Sequence, residues 1–304
     1  MVYSHKNPLS FVLLPLRMTI GMMQSDLCIC WFADWHSLFA VIAAKALGKP
    51  CITIAAGYDA AKEPAIGYGS FNRPWFKRVP SFVFRHCDEI LAVSEHTKTE
   101  LIANAKADEA RISVVYLGVP GLGDERPTKT GGIVVTVANV TDRTFVLKGV
   151  DSFVKIADKV PQAKFVAVGY VDERFAAEKH LRDSLVEFRG RLPQPELFEL
   201  FREAKVCVQL SYDESFGMAV AESMARECVP VVSDRGGLPE VVGDCGYIVH
   251  YGDLDAAAEA TAKALSDDTT GPRARARVES KFSCEARKRA LARIIERRIT
   301  GKGA

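Results

Sequence analysis

The run Ser211–Glu222 (SYDESFGMAVAE) carries the residues best placed to do chemistry. An apolar strand, VCVQL, ends just before it, a short polar turn follows, and a helix is predicted to begin near Phe216–Gly217. Ligands of open α/β sheets bind beyond the carboxyl ends of the strands. The first amides of a helix have no partner within it and carry partial positive charge. Gly217 removes a side chain at that point, so an anion can approach the amides of Gly217, Met218 and Ala219, which is the geometry of a phosphate site. Two carboxylates bracket this helix start: Glu214 before it and Glu222 within it. Gly217 and Glu222 are separated by roughly 7–8 Å of helix, at about 1.5 Å per residue. The carboxylates can therefore serve two parts of one elongated ligand. As hydrogen-bond acceptors they suit vicinal sugar hydroxyls. The plainer alternative is that Glu214 caps the helix and Glu222 faces solvent.

The elements that position these residues follow from the apolar runs. Strands are predicted at Asp26–Phe32, Cys51–Ala55, Glu89–Val93, Ile112–Tyr116, Ile133–Ala138, Lys164–Val168, Leu185–Arg189, Val206–Leu210, Val229–Ser233 and Gly246–Val249. Several are continuous Val- and Ile-rich stretches, as expected of strands covered on both faces. Helical patterns lie between most of them, at His36–Leu47, Ser94–Ala105, Lys148–Lys159, Gln194–Ala204, Gly217–Arg226 and Leu238–Val242. This alternation implies parallel sheets with right-handed crossovers. Pro120–Gly132 is rich in Gly, Pro and charge and reads as an interdomain linker. The predicted division is an N-terminal Rossmann-like domain over 1–125, a C-terminal Rossmann-like domain over 126–283, and a helix and tail over 284–304. In that last helix Ala290, Leu291, Ile294 and Ile295 repeat at helical spacing and pack on a domain, while the Arg and Lys residues form a solvated face. Residues 9–23 (LSFVLLPLRMTIGMM) are interrupted by Pro15 and Arg17 and read as a core-facing helix rather than a leader or a membrane span.

Composition sets the bounds. The chain has 304 residues, 48% hydrophobic and 26% charged, enough for one or two full cores. A formal net charge of +2 lacks the strong positive excess of a nucleic-acid binder. The eight cysteines match neither a zinc spacing nor a C-x-x-C dithiol and read as buried, reduced thiols of a cytoplasmic protein. Cys28 and Cys30, two apart on a strand, share one face.

Set within S-Y-D-E-S-F-G-M-A-V-A-E-S-M-A, the E-x7-E spacing of Glu214 and Glu222 resembles the donor-site motif of glycosyltransferase family 4. The later C-V-P-V-V-S-D-R-G-G-L-P-E-V-V-G-D-C-G-Y-I-V and the earlier V-S-E-H-T-K-T-E-L-I and R-I-S-V-V-Y-L-G-V-P are similar to it as well, so the likeness runs from about Ser25 to Asp253. It implies an α/β, GT-B-like fold of two Rossmann-like parallel-sheet domains and transfer of a sugar from a UDP- or GDP-sugar with retention of anomeric configuration. Glu222 would hold the ribose hydroxyls and Glu214 the transferred sugar. Ser215, Phe216, Gly217, Met218 and Ala219 would line the sugar and phosphate, the last four through backbone atoms. In that family an Arg and a Lys after the first strand of the second domain clamp the diphosphate. Lys148–Gly149 matches the Lys element, while Ala138–Asn139 stands where Gly-Arg is usual, in a longer loop. Arg143 in that loop either supplies the missing cation or is a plain surface charge. Gly169 closes the next strand, where the nucleotide would approach the backbone, and Leu192, in Arg191–Leu192–Pro193, would border the base; the alternative is that Pro193 simply starts the following helix. The catalytic candidates are thus Glu214, Lys148 and Arg143. Cations preorganised around a departing diphosphate stabilise its growing charge. They can replace a metal, and no D-x-D motif is read that would hold one, so neither metal nor cofactor is expected.

Other positions depart from the family pattern. The first domain begins late, short by roughly 60–90 residues of an intact domain of about 150 or more, so it is expected to be incomplete. Ala56 stands where many relatives place a His; nearby Asp59 and His36 are the polar candidates on the acceptor side, each with a structural alternative. Glu227 replaces a Gly that often ends the donor-site helix, and the helix is expected to end differently here. The expected partners are a nucleotide-sugar donor and a glycan or lipid acceptor, with peripheral membrane contact through Lys77, Arg78 and Arg85 and no nucleic acid. The competing readings are an inactive donor-binding subunit and a nucleotide-sugar epimerase or phosphorylase of the same fold.

Overall fold

The computed structural model describes residues 13–121, 127–129 and 132–301. They form two compact units, one made of the described residues up to Tyr116 together with those from Lys288 onward, and the other of the described residues between Leu117 and Arg287. All ten predicted strands form. In the first unit β1 (Cys28–Trp31), β2 (Cys51–Ala55), β3 (Glu89–Ala92) and β4 (Ile112–Val114) make a parallel sheet in the order β1-β2-β3-β4. In the second unit β5 (Ile133–Val137), β6 (Lys164–Val168), β7 (Val186–Phe188), β8 (Val206–Gln209), β9 (Val229–Ser233) and β10 (Tyr247–Val249) make a parallel sheet in the order β10-β9-β8-β5-β6-β7. Counted from β5, this is the doubly wound order 3-2-1-4-5-6, which reverses between β5 and β8.

The cores match the apolar runs. In the second unit Val206, Val208, Val229 and Val231 pack with Phe153, Ile156 and Phe165, all fully buried. In the first, Ile90, Ala92 and Cys51 pack with Val41, Ala44, Val83 and Phe84 from helices Trp35–Ala46 and Arg78–His86. The helix read at residues 9–23 is present as Leu14–Met23. It buries Leu14 and Met22 and leaves Leu16, Ile20 and Met23 exposed. No helix among the described residues is long and apolar enough to cross a membrane.

Three local outcomes differ from the sequence reading. The first concerns the stretch read as a linker, whose described residues are built into the second unit. The Thr128 amide donates to the Arg202 carbonyl at 3.1 Å. The Lys129 ammonium donates to the carbonyls of Phe201, Ala204 and Arg226 at 3.0, 2.7 and 2.8 Å. Those carbonyls lie at the ends of helices Gln194–Glu203 and Met218–Met224, where backbone acceptors lack helical partners. Residues 122–126 and 130–131 of the stretch lie outside the described residues.

The second concerns the last helix, Cys284–Thr300, whose basic face is not simply solvated. Arg297 and Arg298 donate to the carboxylate of Glu89, which is 1% exposed, at 2.6–2.8 Å. Ser113 Oγ donates to the same carboxylate at 2.7 Å. Burial pushes the Glu89 carboxyl up, but Ser113, Arg298 and Arg297 outweigh it and hold the group below the ordinary glutamate range.

The third concerns Glu227, where the structure contradicts the expected change of helix end. Glu227 adopts the left-handed conformation, φ 62°, that a glycine would take. The Cys228 amide donates back to the Ser223 carbonyl at 3.1 Å and the Glu227 amide to Met224 at 3.0 Å, the bonds of a Schellman cap. The backbone closure is retained despite the side chain, whose carboxylate lies 3.7 Å from Arg275.

Candidate donor site

In a doubly wound sheet the crevice opens where the strand order reverses, outside the carboxyl ends of the two strands concerned. Here those strands are β5 and β8. Asn139, Arg143 and Lys148 follow the first, and Glu214 to Ala219 follow the second, so the topology gathers most of the sequence-derived candidates at one place.

The two loops are tied together at Lys148. Its Nζ lies 2.6 Å from Glu214 Oε2, and both side chains are partly buried. The backbone holds this pair in register. Gln209 Nε2, at the end of β8, donates to the Lys148 carbonyl at 2.8 Å, and the Tyr212 amide donates to the Leu147 carbonyl at 2.9 Å. Gly149 has φ 68°, and a Cβ there would lie 2.1 Å from the Leu210 carbonyl oxygen. Only glycine lets the Lys148 loop pass so close to the end of β8. Gln209 was not singled out from sequence; its signal is a polar residue closing an otherwise apolar strand.

The helix predicted at Gly217–Arg226 runs over Met218–Met224, with Gly217 as its N-cap at φ 96°, and no side chain caps it. A Cβ on Gly217 would meet Leu238 at 2.7 Å. Thus Glu214 does not cap this helix; it pairs with Lys148 instead. The Phe216 ring is buried, edge-on to Phe282 at 5.4 Å between centroids, so only its backbone can face a ligand. Ser215, Met218 and Ala219 flank Gly217 along the turn and the first helical residues.

Glu222 is half-buried on the same helix. Burial raises its pKa, while Arg226 and the Gln194 amide pull it down. Arg226 in turn stacks 3.4 Å from the Phe198 ring centroid and donates to the Glu222 carbonyl at 2.9 Å. Glu222 thus lies in a partly desolvated position with a cation near it.

The remaining candidates of this unit fall on the neighbouring strand ends. Asn139 Oδ1 accepts from the Tyr170 amide at 2.9 Å, and its carbonyl accepts from Thr144 Oγ1 at 2.6 Å. Gly169 ends β6, its amide donating to the Gly190 carbonyl at 2.8 Å. Arg191 stacks over Tyr170 at 5.3 Å, beside half-buried Leu192. Arg143 is exposed in the turn between Asn139 and Lys148. Asp253–Leu254–Asp255 is a D-x-D triplet that the sequence reading passed over. Asp253 caps helix Leu254–Leu265 through the Ala256 amide at 2.9 Å, and Asp255 pairs with Lys159 at 2.8 Å.

In the first unit the polar candidates are held by their own backbone. Asp59 is 4% exposed and accepts from the amides of Ala33, Ala56 and Gly57 at 2.9–3.1 Å. Burial pushes its carboxyl up to about 6, against the pull of those amides. This is the turn-carboxylate alternative. His36 Nε2 lies 2.9 Å from the Trp31 carbonyl and Nδ1 is paired with Asp34. Asp34 raises the His36 pKa. Beside Asp59 lies an apolar cavity of about 680 Å³ whose lining includes Phe32, Trp35, Tyr58, Trp75, Phe76 and Val79. Arg78 stacks on Trp75 at 4.0 Å and Arg73 on Phe76 at 5.5 Å.

Comparison with known proteins bears on the same two units. The family model described as glycosyltransferase family 4 matches residues 5–120, and the model described as glycosyl transferases group 1 matches residues 131–267. The phosphatidylinositol N-acetylglucosaminyltransferase GPI3 subunit of Saccharomyces cerevisiae is 23% identical over 193 residues, which cover 58% of this chain and 42% of that protein. The D-inositol 3-phosphate glycosyltransferase of Mycolicibacterium paratuberculosis is 28% identical over 235 residues, 71% of this chain and 53% of that protein. The chain thus spans about half the length of these curated relatives. Among solved structures, Anabaena HepE in complex with UDP-glucose superposes with a TM-score of 0.78 at 17% identity, over 95% of this chain and 84% of that one. With two matched family models that between them reach from residue 5 to residue 267, and two parallel-sheet units of matching architecture, the chain belongs to the family 4 glycosyltransferases and has their GT-B fold.

Proposed function

We propose that this chain transfers a sugar from a UDP- or GDP-sugar to a glycan or lipid acceptor with retention of anomeric configuration. The observation that carries the reading is the Lys148–Glu214 pair at the reversal point of the second sheet. In the absence of donor each charge satisfies the other. When donor binds, the ammonium turns to the diphosphate and the carboxylate to the sugar hydroxyls, so the ligand exchanges partners for both groups rather than leaving either unpaired. As the glycosidic bond loosens, negative charge grows on the diphosphate. Lys148, with Arg143 from the same loop and the amides after Gly217, is preorganised to stabilise it. Glu222 holds the ribose hydroxyls as an acceptor. In this reading no metal is required, because the cations of the loop do its electrostatic work.

For the acceptor, the aromatic cavity of the first unit favours a molecule with an apolar part. The yeast relative, named as acting on phosphatidylinositol, supports a lipid. Lys77, Arg78 and Arg85 would meet anionic headgroups from the cytoplasmic side. Isothermal titration with UDP and GDP, followed by donor turnover in the presence of lipid and sugar acceptors, tests the proposal. Saturable binding of one nucleotide and acceptor-dependent turnover are expected. Absence of binding to both nucleotides rejects the donor site, and binding without turnover on any acceptor supports the inactive-subunit reading instead.

A further inference from the structure

Three cysteines of the first unit have no part in the donor chemistry. Cys28 and Cys30 lie two apart on β1, so their side chains share one face. Cys51 on β2 is the register partner of Cys28 in a parallel ladder, which puts it on that same face. The Sγ atoms of all three lie within 4.8 Å of one another, and those of Cys28 and Cys30 are 3.6 Å apart. A metal–sulfur bond of about 2.3 Å sets three sulfurs around one ion at separations of about 4 Å. Strand pairing alone has therefore brought the sulfurs close to ligating distance.

The surroundings choose the ion. Cys30 and Cys51 are buried, and Cys28 is half-buried. Cys28 and Cys30 line a cavity of about 420 Å³ that is also bordered by Met18, Met22, Arg17 and His36. That cavity is an access path, and it brings two thioethers and a guanidinium near the thiols. His36 is a poor fourth ligand, because one ring nitrogen faces the Trp31 carbonyl and the other is paired with Asp34. Structural zinc takes four ligands, whereas soft thiolate and thioether surroundings select monovalent copper. The geometry points to a three-sulfur site, Cys28–Cys30–Cys51, that binds one Cu(I)-type thiophilic cation and releases thiol protons to solvent as it does so. It is independent of the donor site in the other unit.

The test uses the full chain carrying Cys284→Ser, which removes the exposed competing thiol, reduced and anaerobic. It is titrated with Cu(I) supplied from a weak chelator. One equivalent is expected to bind, and copper-edge X-ray absorption is expected to show three sulfur neighbours. Cys28→Ser is expected to lower the affinity by at least about tenfold, as losses around metal sites do. Cys245→Ser is expected to leave it unchanged. Should Cys28→Ser fail to fold, the sulfur count at the copper edge still decides. Two or fewer sulfur neighbours, an affinity indifferent to Cys28, or displacement of Cu(I) by equimolar Zn²⁺ would overturn the assignment.

Discussion

The two units use the same strand–helix alternation to different ends. In the second the strand order reverses between β5 and β8, and the loops leaving those strands deliver a lysine and a glutamate to each other. In the first the order runs β1-β2-β3-β4 without reversal, and its polar candidates, Asp59 and His36, are engaged by neighbouring backbone groups. The contrast separates charges that stabilise a fold from charges a ligand can recruit. A carboxylate satisfied by three amides has little reason to leave them, since each buried amide left unpaired costs about 1–3 kcal/mol. A carboxylate satisfied by one flexible lysine exchanges partners at small cost, provided the incoming ligand brings both an anion and hydroxyls.

The comparison is most severely tested where the first unit is held by charge. Removing both arginines in Arg297→Ala/Arg298→Ala strands the Glu89 carboxylate in the interior. A loss of about 3–5 kcal/mol in urea unfolding is expected, because an uncompensated buried charge remains. Nucleotide affinity in the folded protein should be unaffected. The pH dependence has a fixed sign. Glu89 has a lowered pKa in the folded state, so its contribution is complete above the ordinary glutamate value of about 4.3. It is lost as pH falls through the lower folded value. Acid titration of stability should therefore show an extra drop below about pH 4 that the double variant lacks.

Next in size is the second unit. Lys148→Ala should lower kcat by about 10²–10³, the effect of deleting one preorganised stabiliser of developing charge, with little change in melting temperature. A large stability loss with unchanged turnover would place Lys148 with Glu89 rather than with Glu214. Glu222→Ala should weaken nucleotide binding by about 1.5–3 kcal/mol, the range for hydrogen bonds to a charged group, as read by titration calorimetry. Unchanged affinity would remove it from the ribose role. The smallest expected effect is Glu227→Gly, which relieves left-handed strain and should stabilise the protein by up to about 1 kcal/mol. A destabilisation would show that the contact with Arg275 outweighs that strain.

Much of this architecture was legible in the chain because both sheets are parallel and buried on both faces, so their strands stand out as unbroken Val- and Ile-rich runs. VCVQL and CITIA needed no partner to be recognised. The Lys148 and Glu214 loops were legible for the same reason: each directly follows such a run. What the sequence hid depends on register or on distant backbone. Cys28 and Cys30 declared a shared face, but Cys51 joins them only through the pairing of β1 with β2. Lys129 looked like one charge in a polar linker, yet it is seated on helix-end carbonyls contributed by residues 201, 204 and 226. The solvated reading of Arg297 and Arg298 overlooked Glu89, more than 200 positions earlier, whose strand position gave no hint of a buried carboxylate needing cations. At Glu227 local propensity was overruled, because the Schellman bonds and the contact with Arg275 hold a conformation the side chain alone would avoid.

In the proposed reaction Lys148 leaves Glu214 for a nucleotide diphosphate. Calorimetric titration of UDP and GDP into the wild type and Lys148→Ala tests it directly. One nucleotide is expected to bind the wild type saturably, and the variant to lose about tenfold or more in affinity, as for a charge-assisted contact worth about 1.5–3 kcal/mol. Equal affinity in the two proteins, or no binding of either nucleotide to the wild type, would contradict it.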